Sequence, residues 1–227
     1  MKPHPAKFSP QIIETIASMI EPLKQYEYKC ILDPFAGIGG IFDLNKYHLH
    51  HIIGIEIEPE WANQHDGVFI GNALNLKYQD NSFDFAITSP CYGNRLADSH
   101  NAKDGSKRHT YTHYLGRKLN SDNSGYMQWG GKYRTFHEKA WRECYRVLKP
   151  NGTLILNIKD HIRKGKKQMV PEWHTGFLIS IGFDLVQYEK VPVRSLRHGR
   201  NYAQRIDHEI VAKFVKVNND NQAYGLL

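Results

Sequence analysis

Residues 31–40, Ile31-Leu32-Asp33-Pro34-Phe35-Ala36-Gly37-Ile38-Gly39-Gly40, decide how this chain folds. A short apolar run passes through an acid and a proline, ends in three glycines, and gives way to a new apolar pattern. That order predicts a strand, a tight turn and the start of a helix. Glycine lets the backbone turn sharply and lets another molecule approach the main chain, and the free N–H groups of a helix start favour electronegative ligand atoms. A small nucleoside-like cofactor fits such a turn. The G-x-G-x-x-G register of a dinucleotide site is absent, and a βα turn without a ligand is the competing reading of these residues alone.

Around this stretch lie 227 residues, enough for one sizeable core and consistent with a single domain over 1–227. No segment reads as a linker. Met1-Lys2-Pro3-His4-Pro5 lacks the apolar segment of a secretory signal, and no apolar run is long enough to span a membrane, so a cytoplasmic protein without a membrane partner is expected. Cys30, Cys91 and Cys144 form no C-x-x-C pair, which points to reduced thiols rather than disulfides or a zinc ribbon. His48, His50 and His51 crowd a turn and read as surface histidines, so no metal site is expected. The formal charge of +7 favours a polyanionic partner.

Upstream, Ser9 before Pro10 is a helix cap followed by proline at the first helical position, leading into Ile12, Ile13, Ile16, Met19, Ile20 and Leu23. Downstream, Ile41, Phe42, Leu44 and Tyr47 continue a helix. His51 to Glu56 reads as a buried strand ending in an acid that can accept hydrogen bonds from ribose hydroxyls, with Glu58 as the fallback. Val68 to Ala73 is a third strand running into a turn, and Phe83 to Thr88 a fourth. From Gly93 to Arg134 strand patterning stops; Arg95, Lys107 and Arg108 are interleaved with histidines and aromatics, an insertion that suits phosphates and unpaired bases. Arg117 and Lys118 add to its charge. Helical spacing resumes from Phe136 to Leu148, a fifth strand covers Thr153 to Ile158, and a basic loop containing Lys164 follows. Trp173 to Ile181 is helical; Phe183 to Val193 and Ile206 to Val215 are closing strands, joined by the basic loop from Arg194 to Asn201.

Leu32-Asp33-Pro34-Phe35-Ala36-Gly37, followed by Thr88-Ser89-Pro90-Cys91-Tyr92, resembles the S-adenosylmethionine-dependent amino-methyltransferases of DNA, and among them the small methylases of bacteriophages. The resemblance covers nearly the whole chain. It implies a Rossmann-like α/β fold with a mostly parallel sheet and an antiparallel last strand. It implies S-adenosyl-L-methionine as cofactor, held by Asp33, Phe35, Ala36, Gly37 and Gly39 of the glycine loop, by Glu56, and by Asn72 and Ala73. Asn72 stands where the family often carries an aspartate that contacts the adenine amino group. The H-P-x-x-F-type segment before the first helix puts Lys7, Phe8 and Ser9 near the methionine end.

The same resemblance makes Ser89-Pro90-Cys91-Tyr92 the catalytic loop. An exocyclic amine is a poor nucleophile because its lone pair is delocalised into the ring. If Ser89 Oγ and the Pro90 carbonyl accept its two N–H groups, the nitrogen moves toward tetrahedral geometry and its lone pair is freed for in-line transfer. Tyr92 offers a face for the target base, which has to be flipped out of the duplex. Serine in the loop favours cytosine N4 over adenine N6. The family's second proline is replaced by Cys91, and carbon-5 methyltransferases use a Pro-Cys pair, so covalent catalysis by Cys91 is an alternative; no E-N-V segment accompanies it. DNA is the expected partner, contacted by Arg95, Lys107, Arg108 and Lys164. An RNA base-amine methyltransferase and a non-catalytic nucleic-acid-binding module are the alternatives.

Overall fold

The structure, a computed structural model, describes residues 2–4, 8–20, 29–47, 51–94, 107, 110–193 and 206–217. Lys7, Arg95 and Arg108 lie outside the described residues, as does the basic loop from Arg194 to Asn201. Helix α1 (Pro10–Met19) starts as its sequence dictates, with Ser9 Oγ accepting the Ile12 N–H at 3.3 Å. Strands β1 (Cys30–Asp33), β2 (His51–Glu56), β3 (Val68–Ile70), β4 (Phe83–Thr88) and β5 (Leu148–Ile158) pair in parallel in the order β3-β2-β1-β4-β5. A hairpin of β6 (Ile162–Arg163) and β7 (Lys166–Lys167) follows β5 where a basic loop was expected. Strands β8 (Phe183–Pro192) and β9 (His208–Lys216) complete a seven-stranded sheet, and β9 is antiparallel to both β5 and β8. The fold is a Rossmann-like sheet, mostly parallel, with an antiparallel last strand.

Period-two alternation sends neighbouring strand residues into cores on opposite faces. Ile31, Ile155 and Val211 pack with Ile12, Ile16 and Met19 of α1. Leu32, Leu154, Leu156 and Ala212 pack on the other side. There they meet Trp141, Cys144 and Val147 of helix α4 (Gly131–Val147) and Val170 and Leu178 of helix α5 (Val170–Ser180).

The glycine loop turns as predicted, but a 3-10 helix over Gly40–Lys46 follows instead of an α-helix. Gly39 is left-handed at φ 88° and provides no side-chain cap, so no α-helical first turn is set up there. Two short α-helices were not anticipated, α2 (Pro59–Ala62), begun by its proline, and α3 (Tyr111–Leu115), capped by Thr110 inside the insertion, nor was the 3-10 turn at Ser124–Tyr126.

Asp33, Glu56 and Thr88 end β1, β2 and β4 at one edge of the sheet. The strand order reverses between β1 and β4, which opens a crevice outside the carboxyl ends of the strands, where such folds bind ligands. No helix among the described residues is long and apolar enough to cross a membrane.

Candidate active site

A cavity of about 290 Å³ occupies that crevice, walled by the loops after β1, β2, β3 and β4, by the insertion and by β9. Of the residues expected at a cofactor, Phe8, Phe35, Ala36, Glu56, Asn72 and Ala73 line it. Ser89, Pro90 and Tyr92 line it too, so the glycine loop and the Ser-Pro-Cys-Tyr loop share one space.

Glu56 is held by both its carboxylate oxygens. Its Oε2 accepts the Gly37 N–H at 3.0 Å and its Oε1 accepts the Glu58 N–H at 2.8 Å, which orients the carboxylate while leaving a lone pair on each oxygen. Burial raises its pKa to about 7.

Four expected residues stand behind the wall. Ser9 caps α1. Asp33 Oδ1 accepts from Thr88 Oγ1 at 2.6 Å and from the Phe35 N–H at 3.0 Å, tying the turn after β1 to the end of β4. Burial also brings Asp33 to a pKa of about 7. Gly37 acts through its N–H on Glu56, and a Cβ there would lie 3.2 Å from the His4 ring. Gly39 is tight against His65. Glu58, the fallback for ribose, is fully buried and faces the insertion: its Oε1 accepts from the Asn120 N–H at 2.7 Å and Asn123 Nδ2 at 2.9 Å.

Asn72 is engaged differently from the expectation. Its Oδ1 accepts the Leu74 N–H at 2.9 Å and its Nδ2 donates to Asp122 Oδ2 at 2.9 Å. Asp122 also lines the cavity, so a carboxylate stands beside Asn72 after all, supplied by the insertion.

The described part of the insertion from Thr110 onward therefore forms a wall of this site. Tyr111, Asp122, Asn123 and Ser124 line the cavity, while Tyr111, Leu115 and Leu119 form a small core with Trp61. Arg117 clasps it to α2, 2.6 Å from Glu60 Oε2 and 2.8 Å from Glu58 Oε2. Read from sequence as part of a phosphate-facing charge cluster, Arg117 is instead committed to two carboxylates. Arg163 leans on the insertion through Gln128 Oε1 at 3.0 Å. Lys164, left-handed at φ 51°, is exposed at the tip of the β6–β7 hairpin, and Lys107 is exposed.

In the Ser-Pro-Cys-Tyr loop, Ser89 Oγ lies 3.0 Å from Tyr92 Oη, which donates to Glu209 Oε2 at 3.2 Å. Asn157 Nδ2 is 3.1 Å from Ser89 Oγ and 2.9 Å from Glu209 Oε2. Burial pushes the Tyr92 hydroxyl well above its ordinary pKa, helped by the Glu209 carboxylate. Cys91 Sγ donates to Tyr111 Oη at 3.4 Å, and burial raises the thiol's pKa, which keeps it protonated and unsuited to nucleophilic attack.

The loop's main chain is held from behind. The indole N–H of Trp141 can only donate, so His174 Nδ1 accepts it, at 2.9 Å. His174 Nε2 then carries the proton and donates to Tyr133 Oη at 3.0 Å, and Tyr133 donates to the Cys91 carbonyl at 2.8 Å. Burial drives the His174 pKa well below its ordinary value, which keeps this tautomer neutral.

Sequence reasoning missed Glu209, Asp122, Trp61 and Phe136 as lining residues. Glu209 lies in a strand read only as closing the sheet, and nothing local distinguishes it from a solvated strand acid.

Residues 83–222 match a family described as DNA methylase, of the N6/N4 methyltransferase type. No curated protein matches the chain. Among solved structures, an S-adenosylmethionine-dependent methyltransferase from Methanosarcina mazei aligns at TM-score 0.55 and 14% identity over 93% of this chain and 99% of that one. A Pyrococcus horikoshii protein aligns at 0.54 and 13% over 90% and 87%. The YcgJ protein of Bacillus subtilis aligns at 0.52 and 15% over 91% and 98%. At these identities the structural likeness concerns the fold.

Proposed function

The chain belongs to the DNA methylase family of the N6/N4 type, and from that premise we propose that it methylates an exocyclic amine of a DNA base turned out of the duplex, cytosine N4 ahead of adenine N6. It is a methyltransferase that uses S-adenosyl-L-methionine. The residues present suit that cofactor. Glu56 offers anchored carboxylate oxygens for ribose hydroxyls, Asn72 and Asp122 supply polar partners for a base edge, and Phe8, Phe35 and Phe136 supply apolar wall. Trp61, another lining residue, has a buried Nε1 with no hydrogen-bond partner among the described residues. When bound, the cofactor supplies an electrophilic methyl group on a positively charged sulfur.

The protein's part is to make a weak nucleophile attack. Ser89 Oγ and the Pro90 carbonyl accept the two N–H groups of the target amine, which localises its lone pair, and the Tyr92 ring supports the base. Cys91 contributes packing, not a covalent bond. Serine in the loop favours cytosine N4. Residues 1–227 act as one methyltransferase unit, and the insertion at 93–134 together with Lys164 faces the nucleic acid, with Lys107 on the same segment.

The observation that carries this reading is that Ser89, Pro90 and Tyr92 line the same cavity as Glu56, Asn72 and Ala73. The test is transfer of labelled methyl to unmethylated DNA and to RNA, followed by digestion to nucleosides and mass identification. N4-methylcytosine in DNA is the expected product. N6-methyladenine keeps the mechanism and moves the base; label confined to RNA moves the substrate class.

A further inference from the structure

Amine methylation leaves a surplus proton on nitrogen, and neither acceptor in the catalytic loop is a base: a serine hydroxyl and a carbonyl orient a proton but do not keep it. Among the described residues, three carboxylates line the cavity. Glu56 is tied to the Gly37 and Glu58 N–H groups and Asp122 to Asn72. The third, Glu209 on β9, is hydrogen-bonded to the catalytic loop itself through Tyr92.

The proton positions in this cluster follow from valence. A carboxylate only accepts, so the Tyr92 hydroxyl, 3.2 Å from Glu209 Oε2, donates to it. Tyr92 Oη is then left to accept the proton of Ser89, 3.0 Å away. Asn157 must turn its nitrogen, not its oxygen, toward a carboxylate 2.9 Å away, and the same Nδ2 lies 3.1 Å from Ser89 Oγ. With its own proton committed inward, Ser89 keeps a lone pair for an amine N–H. Both contacts to Glu209 fall on Oε2, and Oε1 has no hydrogen bond among the described residues.

Resting on the amine-methylation reading above, we propose that Glu209 is the proton acceptor of methyl transfer, a residue that acts through Tyr92 and Ser89 and fixes Ser89 as a hydrogen-bond acceptor. The amine lone pair forms the new N–C bond while the electron pair of the breaking C–S bond remains on sulfur. The N–H bonding pair returns to nitrogen as its proton passes to Ser89 Oγ, the Ser89 proton passes to Tyr92 Oη, and the Tyr92 proton passes to Glu209 Oε2. One proton moves from the amine to Glu209, which later releases it to solvent.

The test uses the full chain, with the DNA that the wild type is first shown to methylate; a wild type that transfers no methyl to any nucleic acid removes the amine-methylation reading and this proposal with it. Glu209→Gln keeps the shape of the side chain but not its charge, and its amide can donate to Tyr92 as well as accept from it. The expected result is a fall of at least about a hundredfold in the single-turnover rate, with S-adenosylmethionine and DNA dissociation constants, read by calorimetry and fluorescence anisotropy, within about threefold of wild type. Tyr92→Phe breaks the chain at its middle and lowers the rate similarly, and the double variant is little worse than either single one, because both interrupt the same path. A binding readout accompanies these. In the presence of S-adenosylhomocysteine the wild type binds the target duplex in preference to one whose target amine is replaced by an exocyclic carbonyl oxygen, which Ser89 as a fixed acceptor repels. Glu209→Gln frees the Ser89 proton and narrows that preference. A Glu209→Gln rate within about threefold of wild type, or rate losses for Glu209→Gln and Tyr92→Phe that multiply fully in the double variant, overturns the proposal.

Discussion

Tyr133 Oη lies 2.8 Å from the main-chain oxygen of Cys91, so a hydroxyl anchored on α4 fixes the middle of the Ser-Pro-Cys-Tyr loop proposed to be catalytic. The same hydroxyl accepts from His174 Nε2 at 3.0 Å, and His174 is set by Trp141. Tyr133→Phe leaves a buried donor on His174 and a carbonyl on Cys91 without this partner, which costs about 1–3 kcal/mol of stability. The loop also loses its rear support, and the methyl-transfer rate falls by roughly tenfold to a hundredfold while cofactor binding is retained. Thermal unfolding, calorimetry and single-turnover labelling on one preparation separate these effects.

Cofactor binding should depend on pH through Glu56. Burial raises its pKa to about 7, and ribose hydroxyls donate to the ionised form. Affinity therefore weakens as pH falls below about 7, and binding near pH 6.5, about half a unit below that value, releases protons. Titrations in buffers of different ionisation enthalpy measure that release directly; Glu56→Gln, with lowered affinity, should abolish it. The sign for stability is opposite. Asp33 and Glu56 both bind protons more tightly folded than unfolded, so their contribution is full below about pH 4 and is lost as pH rises through about 7. The unliganded protein should lose stability across that range by this contribution, and added cofactor should offset it at pH 8.

The insertion's clasp is the subject of a third test. Arg117 joins Glu60 and the fully buried Glu58, whose other oxygen holds Asn120 and Asn123. Arg117→Met removes the clasp and leaves Asp122–Ser124 less firmly seated over the cavity. Because the arginine end is exposed, the effect is modest, roughly 1 kcal/mol or about a fivefold weaker Kd for the cofactor. An unchanged Kd by calorimetry would show that the wall seats itself without Arg117.

The sheet was legible in the sequence because its signals are local. Ile31-Leu32, Ile52-Ile53 and Leu154-Ile155-Leu156 are apolar runs bounded by turns, and Ser9-Pro10 states a helix start by its chemistry. Glu56 was legible as an acid at a strand end, while Phe8, Phe35, Ala36, Asn72, Ala73, Ser89, Pro90 and Tyr92 were legible through the resemblance carried by Leu32–Gly37 and Thr88–Tyr92, and all nine line one cavity. The rest depends on contacts between distant parts of the chain. Nothing around Asp122 says that it will meet Asn72, and nothing in the strand around Glu209 says that β9 will insert beside β5 and carry it to Tyr92. Arg117 read as free charge because its partners, Glu58 and Glu60, are about sixty residues away in sequence.

Cys91→Ser addresses the covalent alternative. The thiol is held protonated by burial and donates to Tyr111 Oη at 3.4 Å, a contact that a serine hydroxyl can replace. Methyl transfer should remain within about an order of magnitude of wild type, and the product should stay an N-methylated base. Complete loss of transfer by a folded Cys91→Ser protein would bring nucleophilic catalysis back.

Lys164 gives the most direct test of where nucleic acid sits. It is exposed at the tip of the β6–β7 hairpin, and that hairpin is braced against the insertion through Arg163 and Gln128. Its neighbour Lys167 is engaged by Glu172 at 2.8 Å, so the tip charge is the one of this pair turned toward solvent. Lys164 is left-handed, and Asn tolerates that conformation, so Lys164→Asn removes the charge without disturbing the turn. If the side chain neutralises one phosphate, the slope of log Kobs against log salt becomes shallower by about 1 and binding weakens equally on all sequences. Lys167→Gln, measured alongside as a control, should change the slope far less. An unchanged slope for Lys164→Asn would move the nucleic-acid surface away from the hairpin and onto the insertion.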